Sequence, residues 1–359
     1  MDPPPGRRRH RRDDNVGPLR WFARRALERA PASPTEGRSP SAAYDRRVET
    51  TVLGRTGLGV SVAGLGCGGP SRLGQTRGAS ERESIRVVEH ALELGINYLD
   101  TAEAYGTETI VGKAITGKRD SVIISTKARV ITAGEDAVKP RELRSRLLAS
   151  LQRLGCEFVD VFHLHGVRVG EYDRCVSELV PELDRLRGDG LIRFLGISEH
   201  FVSEPGHRML RRALEDDYWD VMMVGFNLLN PSARRYVFPR AIEKNIGIEI
   251  MFAVRRALSD PEKLRITIGE LAQQGYLDSA IATTDPLGFL IENGAAESIV
   301  EAAYRFTRHE PGSDVVLTGT GNIAHLEQNV HSLTRGPLPQ SALDRLDELF
   351  GDLESLTGD

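Results

Sequence analysis

Cysteine is scarce in this chain. Its 359 residues hold three, Cys67, Cys156 and Cys175, with neither the pairing of a disulfide framework nor the spacing of a metal site. A reducing, cytoplasmic home is the expectation. No run approaches the roughly 18 apolar residues that cross a bilayer, so integral membrane association is not expected. The net charge of −4 gives no special attraction for nucleic acid. His163 and His165 lack a third ligand at recognisable spacing, which excludes a metal reading, and no nucleophile set points to hydrolysis. Hydrophobic content of 40% and charged content of 27% are those of a soluble globular protein.

The small net charge hides an asymmetry. Residues 1–49 carry 12 Arg against 7 acidic residues, a surplus of +5 that leaves −9 for the rest. Pro3-Pro4-Pro5, the basic run Arg7–Arg12 and the Pro/Ser/Gly-rich stretch 31–41 predict a disordered tail. Within it, Trp21–Arg29 has the pattern of a short basic amphipathic helix, and Asp2, Asp13 and Asp14 argue against a transit peptide. The expected organisation is a disordered Arg/Pro-rich tail over 1–49 and one folded domain over 50–359.

From Thr51 the pattern becomes regular. Residues 52–61 read as a hairpin with a glycine turn. Strands follow near 62–67, 96–100, 121–126, 158–165, 191–198, 220–226, 247–252 and 314–319. Helical patterns separate most of them. Over 82–94, Ile85, Val88, Ala91 and Leu92 recur at helical spacing, and over 142–154 Leu143, Leu147, Leu148, Leu151 and Leu154 do the same. Eight strands alternating with helices predict a closed parallel α/β barrel of the (β/α)8 TIM type. Residues 259–294, between the seventh and eighth strands, look like an insertion over the mouth of that barrel.

Chemistry in such barrels belongs to the carboxyl ends of the strands. Gly95–Leu99 leads into Asp100, and the loop beyond carries Tyr105 ahead of Gly106. The run 121–127 closes on Lys127 and the run 158–165 on His165. Alternation sends Val161, His163 and His165 to one face of their strand. Three successive strands therefore end in an acid, a lysine and a histidine, with a phenol just past the first. His163, deeper in its strand, reads as a packing residue of the barrel interior.

With those residues in view, the sequence resembles the aldo-keto reductase family. Asp-Thr-Ala-Glu-Ala-Tyr-Gly (100–106), Ser-Thr-Lys (125–127) and Asp-Val-Phe-His-Leu-His (160–165) match its tetrad motifs, and the similarity runs from about Leu53 through Asn329. The resemblance implies a barrel with an N-terminal hairpin plugging its floor. It also implies a nicotinamide cofactor, NADP(H) ahead of NAD(H), and a small carbonyl or alcohol substrate. Its catalytic tetrad falls on Asp100, Tyr105, Lys127 and His165.

The side chains support those roles by their own chemistry. Carbonyl reduction needs an acid for the developing alkoxide, and an ordinary tyrosine, with a pKa of about 10, is a weak one at neutral pH. Lys127 is expected to lower that value and Asp100 to hold Lys127 charged, while His165 donates to the carbonyl oxygen.

The cofactor site is read from a strand running into a glycine loop. Val315–Thr318 leads to Gly319-Thr320-Gly321-Asn322, and a helix follows through Asn329; such a loop presents backbone N–H groups to a phosphate. The resemblance assigns Gly319, Thr320, Gly321, Asn322 and Asn329 to the adenosine-phosphate end. It assigns Gly66 and Cys67 to the nicotinamide border and Ser198 to the carboxamide. Phe252 or Met251 is to stack on the ring, and the sequence does not choose between them.

Three positions depart from the family pattern. Glu199 stands where an asparagine is usual, Met223 where a glutamine is usual, and Ala253-Val254-Arg255-Arg256 replaces a Ser-Pro-Leu run. Arg255 and Arg256 read equally as phosphate ligands or surface residues, and His325 is the nearest cation for an adenosine 2′-phosphate. These departures define a rival reading, a nucleotide-binding regulatory or sensor subunit of the same fold with little turnover.

Overall fold

The eight apolar runs become eight parallel strands. In the computed structural model, which describes residues 48–132, 134, 136–278 and 285–358, the barrel strands are β3 (Ala63–Gly66), β4 (Tyr98–Asp100), β5 (Ile123–Arg129), β6 (Val159–Val167), β7 (Ile192–Glu199), β8 (Val221–Gly225), β9 (Gly247–Met251) and β10 (Val315–Thr318). They close in the order β10-β3-β4-β5-β6-β7-β8-β9. Closure leaves no strand edge unpaired, which is what makes so apolar a sheet compatible with water.

The expected hairpin forms. β1 (Thr50–Val52) pairs antiparallel with β2 (Gly59–Ser61) through a single turn of 3₁₀ helix at Gly54–Thr56. Leu53, Leu58 and Val60 pack with Tyr98, Val161, Val221 and Val315 in a cluster of their own. This cluster closes the amino end of the barrel. Val48 is buried and Glu49 O accepts from Val62 N at 2.9 Å, so the barrel unit reaches two residues ahead of the expected boundary at 50. The basic tail reading falls on residues 1–47, outside the described residues.

Helix Glu81–Glu93 begins at a Ser80–Glu83 capping box and turns Val87, Val88 and Ala91 to the sheet. Helix Pro140–Leu154 has proline in its first turn, ends at Gly155 in the left-handed region, and buries Leu143, Leu147, Leu151 and Leu154. Leu148, expected in that stripe, is instead 47% exposed, because it lies one residue off the face its neighbours define. The described part of the insertion does not form a separate unit. Helix Pro261–Gln273 buries Leu264, Ile268 and Leu271 in the main core, and the short helix Phe289–Glu292 packs on helix Ile299–Arg308.

Two strand ends differ from the sequence reading. β5 continues two residues past Lys127, and β6 two past His165. Both side chains therefore sit inside the mouth of the barrel rather than on its rim. This depth removes Lys127 from solvent altogether.

Candidate active site

Four side chains converge at the carboxyl end of β4, β5 and β6. Lys127 Nζ donates to Asp100 Oδ1 at 2.5 Å and to Thr101 O at 2.8 Å, and Ser125 Oγ donates to the same Asp100 oxygen at 3.2 Å. Strand alternation explains the arrangement, since Ser125 and Lys127 share one face of β5. Tyr105 closes a 3₁₀ turn (Glu103–Tyr105) that ends at Gly106, whose φ of 74° suits glycine. Its ring lies 5.1 Å from Lys127 Nζ and edge-on to His165, with centroids 5.6 Å apart.

Tyr105 OH and His165 Nε2 stand 3.5 Å apart. That is longer than a well-formed hydrogen bond, and close enough for one oxygen to accept from both groups. His165 Nδ1 is buried without a hydrogen-bond partner among the described residues. The tautomer with its hydrogen on Nε2 leaves only a lone pair unsatisfied there, and it aims a donor at Tyr105.

The loop carrying Tyr105 is pinned from beneath. Buried Glu108 accepts from Thr126 Oγ1 and Arg153 Nε, each at 2.6 Å, and Glu103 accepts from Arg146 at 2.7 Å and from Arg129 N at 3.1 Å. Gly68 supplies the last constraint. A Cβ there would fall 2.3 Å from the Tyr105 ring. Gly68→Ala is therefore expected to displace the phenol and to cost about a hundredfold in turnover, with the melting temperature little changed. Steady-state kinetics beside a thermal melt checks this, and an unimpaired alanine variant would contradict it.

Burial governs the electrostatics. It works against the Lys127 ammonium, but Asp100 and Tyr105 outweigh it and hold the lysine charged, above its usual range. Burial raises the Asp100 carboxyl, with Lys127 opposing. The expectation for Tyr105 is overturned in net sign: desolvation raises its pKa, and the Lys127 charge offsets only part of that rise. His165 is held well below the ordinary histidine value, first by burial and then by the Lys127 and Arg129 charges. The imidazole is neutral at physiological pH.

A second polar layer lies deeper in the barrel. Glu249 on β9 accepts from Tyr98 OH, and its Oε1 lies 3.1 Å from His163 Nε2, all three side chains being buried. His163 is thus a hydrogen-bonding residue of the interior, more than the packing residue expected. Glu249 escaped the sequence reading, although a lone acid in the apolar run Gly247–Met251 was its signal.

The residues assigned to the cofactor are more scattered in their engagement. Gly66 ends β3 and lies beside the loop after β10, where a Cβ on Gly319 would come 3.2 Å from Gly66 O. Cys67 is fully buried, its N–H donating to Asp100 O, so only its backbone borders the mouth. Ser198 Oγ accepts from Gly166 N at 2.8 Å, leaving its own hydrogen to give. Asn322 caps helix Ile323–Thr334 by accepting from His325 N, Thr320 Oγ1 accepts from Asn322 N, and Asn329 Nδ2 donates to Thr318 Oγ1.

Phe252, just past β9, has φ +68°, a costly conformation for a bulky side chain. Its ring is held between Phe201, with centroids 5.2 Å apart, and the Arg255 guanidinium at 4.0 Å. Glu199 is not a free ligand. Its carboxylate accepts from Gly225 N at 2.8 Å and lies 3.0 Å from His207 Nδ1, wholly buried. Met223 is buried as well.

A closed barrel of eight parallel strands, with a buried lysine–carboxylate pair beneath a tyrosine and a neutral histidine at its carboxyl end, is the architecture of a β/α-barrel oxidoreductase. The chain belongs to the aldo/keto reductase family, whose family pattern matches residues 65–350. Among curated proteins it is 26% identical over 304 residues to the uncharacterised oxidoreductase YqkF of Bacillus subtilis (strain 168), covering 82% of this chain and 94% of that one. It is 36% identical over 159 residues to the L-galactose dehydrogenase of Arabidopsis thaliana, a match spanning 42% of this chain and 49% of that protein. In fold it is similar to the holo form of the aldo-keto reductase AKR11C1 from Bacillus halodurans, with a TM-score of 0.64 at 22% identity, covering 85% of this chain and 97% of that one.

Proposed function

We propose that the chain is an NAD(P)H-dependent oxidoreductase that reduces an aldehyde, ketone or sugar carbonyl to the alcohol, or runs the reverse, with Tyr105 as acid and base. The observation that carries the proposal is the pairing of Lys127 with Asp100 at 2.5 Å beneath Tyr105, whose hydroxyl stands 3.5 Å from His165. A carbonyl oxygen lodged between Tyr105 OH and His165 Nε2 accepts from both donors, which polarises the carbonyl and stabilises the charge that develops on the oxygen. Tyr105 then gives its proton to that oxygen. Lys127 stabilises the resulting phenolate, and Asp100 keeps Lys127 charged and aimed. Water is kept from Lys127 by its complete burial.

A bound nicotinamide supplies the hydride. Residues suited to holding it are present. Ser198 has a hydroxyl hydrogen to give at the end of β7, and the strained Phe252 offers a half-buried ring beside β9. Helix Ile323–Thr334 opens after a glycine loop with no acidic residue in its first turn, which favours a phosphate. Gly319, Thr320, Gly321, Asn322 and Asn329 are proposed for the adenosine-phosphate end and the backbone of Gly66 and Cys67 for the nicotinamide border. NADP(H) is proposed ahead of NAD(H) on family grounds, with exposed His325 the nearest cationic candidate for the 2′-phosphate. A cytoplasmic location goes with the reading. The cysteines are free, and no helix among the described residues is long and apolar enough to cross a membrane.

The test is NADPH and NADH fluorescence on mixing, followed by nucleotide oxidation against a panel of aldehydes, ketones and aldoses. The aldoses belong there because one relative is an L-galactose dehydrogenase. Nucleotide binding without turnover of any carbonyl would replace this reading with that of a regulatory subunit.

The pH dependence follows from the directions above. Reduction needs Tyr105 protonated, and its raised pKa keeps it so up to and beyond about 10. His165, neutral because its pKa is depressed, contributes no titration near 6.5. The rate of reduction is therefore expected to stay level from about pH 6.5 to 9, while alcohol oxidation, which needs the phenolate, rises with pH over that range. A reduction rate that falls through pH 6.5–7.5 would transfer the acid role to a histidine.

A further inference from the structure

The last residue of β5 lies outside the roles assigned so far. Arg129 follows Lys127 by two positions and so shares the strand face that Ser125 and Lys127 turn inward, one layer nearer the mouth. It is the register partner of His165 across β5 and β6. Its side chain is exposed, and among the described residues its guanidinium has no ion-pair partner.

Three acids at the carboxyl ends of the neighbouring strands and loops are engaged elsewhere. Glu103 accepts from Arg146 and from the Arg129 backbone; Glu199 is held by Gly225 N and His207; Glu204 accepts from Val169 N and from Arg208 at 3.2 Å. His200 stands on the same rim, within 3.5 Å of where a Gly166 Cβ would lie, with its Nδ1 on Ser203 Oγ. The Arg129 charge is also felt at His165, after burial and Lys127.

We propose that Arg129 anchors an anionic group, a carboxylate or phosphate, on the carbonyl substrate, so that the preferred substrates are oxo acids or phosphorylated carbonyl compounds. A substrate whose oxygen lies between Tyr105 and His165 extends its remaining atoms toward the mouth, where Arg129 is the neighbour of His165. A guanidinium meets either anion with two parallel donors. The inference rests on the carbonyl-reductase reading, which it deepens by naming the substrate class.

The test compares matched pairs with whichever nucleotide is oxidised: succinic semialdehyde against butanal, and glyceraldehyde 3-phosphate against glyceraldehyde. At least one anion is expected to exceed its neutral counterpart in kcat/KM by about ten- to a hundredfold, mainly through KM, with the larger ratio naming the anion. Arg129→Met should collapse that ratio, and Arg129→Lys should restore part of it. Calorimetric binding of succinate and of inorganic phosphate to wild type and Arg129→Met gives a readout that needs no turnover. If no carbonyl is reduced yet one anion binds through Arg129, the reductase reading fails and the anchor stands. If neutral aldehydes are reduced as well as the anionic ones, or Arg129→Met lowers both alike, the anchor is overturned and the reductase reading stands.

Discussion

Tyr105→Phe is expected to lower carbonyl reduction by about a hundred- to ten-thousandfold while leaving the fold and nucleotide binding in place. The substitution removes one oxygen whose hydrogen-bond geometry in the site is a 3.5 Å approach to His165, so little stability goes with it. The ring itself remains, along with its edge-on contact to His165 and its place over Gly68. What is lost is the proton. His165 cannot replace it cheaply, because its depressed pKa keeps the imidazole neutral and its Nε2–H a poor acid. Kinetics beside a thermal melt separates the two effects, and a variant within threefold of wild-type turnover would remove Tyr105 from the acid role.

Lys127→Met should be costly in a different way. Removing a buried cation leaves Asp100, 3% exposed, without its partner, and such uncompensated charge costs about 3–5 kcal/mol. Part of that cost is relieved by protonation of Asp100, whose pKa burial already raises. Turnover should also fall steeply, since the phenolate loses its counter-charge. The informative comparison adds Asp100→Asn. The double variant Asp100→Asn/Lys127→Met is expected to be more stable than the sum of the single losses by about 0.5–3 kcal/mol, because no charge is then left unpaired. It should regain none of the activity. Chemical denaturation of the four proteins measures the coupling; strictly additive losses would mean that the pair does not act as a unit.

The fold was legible because its signals are local. Each of the eight barrel strands is an apolar run bounded by turn residues, and alternation alone puts Ser125 and Lys127, or His163 and His165, on one face. The loop from Asp100 to Tyr105 was equally readable, since chain connectivity brings its two ends together. What escaped notice depends on closure. Glu249 meets His163 and Tyr98 only because β9, β6 and β4 face one interior, and no spacing along the chain records that meeting. Glu199 was recognised as a departure, but its partner His207 sits eight residues on in a loop, held at φ +59°. The direction of the Tyr105 shift was missed for a further reason. It is the balance between a nearby lysine, which the sequence shows, and desolvation of the phenol, which only the packed barrel shows.

These buried pairs bear on the departures from the family pattern. Glu199 and Met223 are built into the packing of the mouth, so neither is available to a carboxamide as the structure stands. Ser198 keeps a free hydrogen, and Phe252 keeps a half-buried ring in a strained position. The proposed nicotinamide end therefore offers fewer available side chains than the proposed proton-donating end.

The central claim is that Tyr105 delivers the proton in a nucleotide-dependent carbonyl reduction. It is tested most directly by following NADPH or NADH fluorescence in wild type and Tyr105→Phe, first on nucleotide addition and then on addition of the best aldehyde of the panel. The account predicts the same nucleotide affinity for both proteins, followed by rapid fluorescence loss in wild type and almost none in the variant. Equal rates of nucleotide oxidation in the two proteins would contradict it.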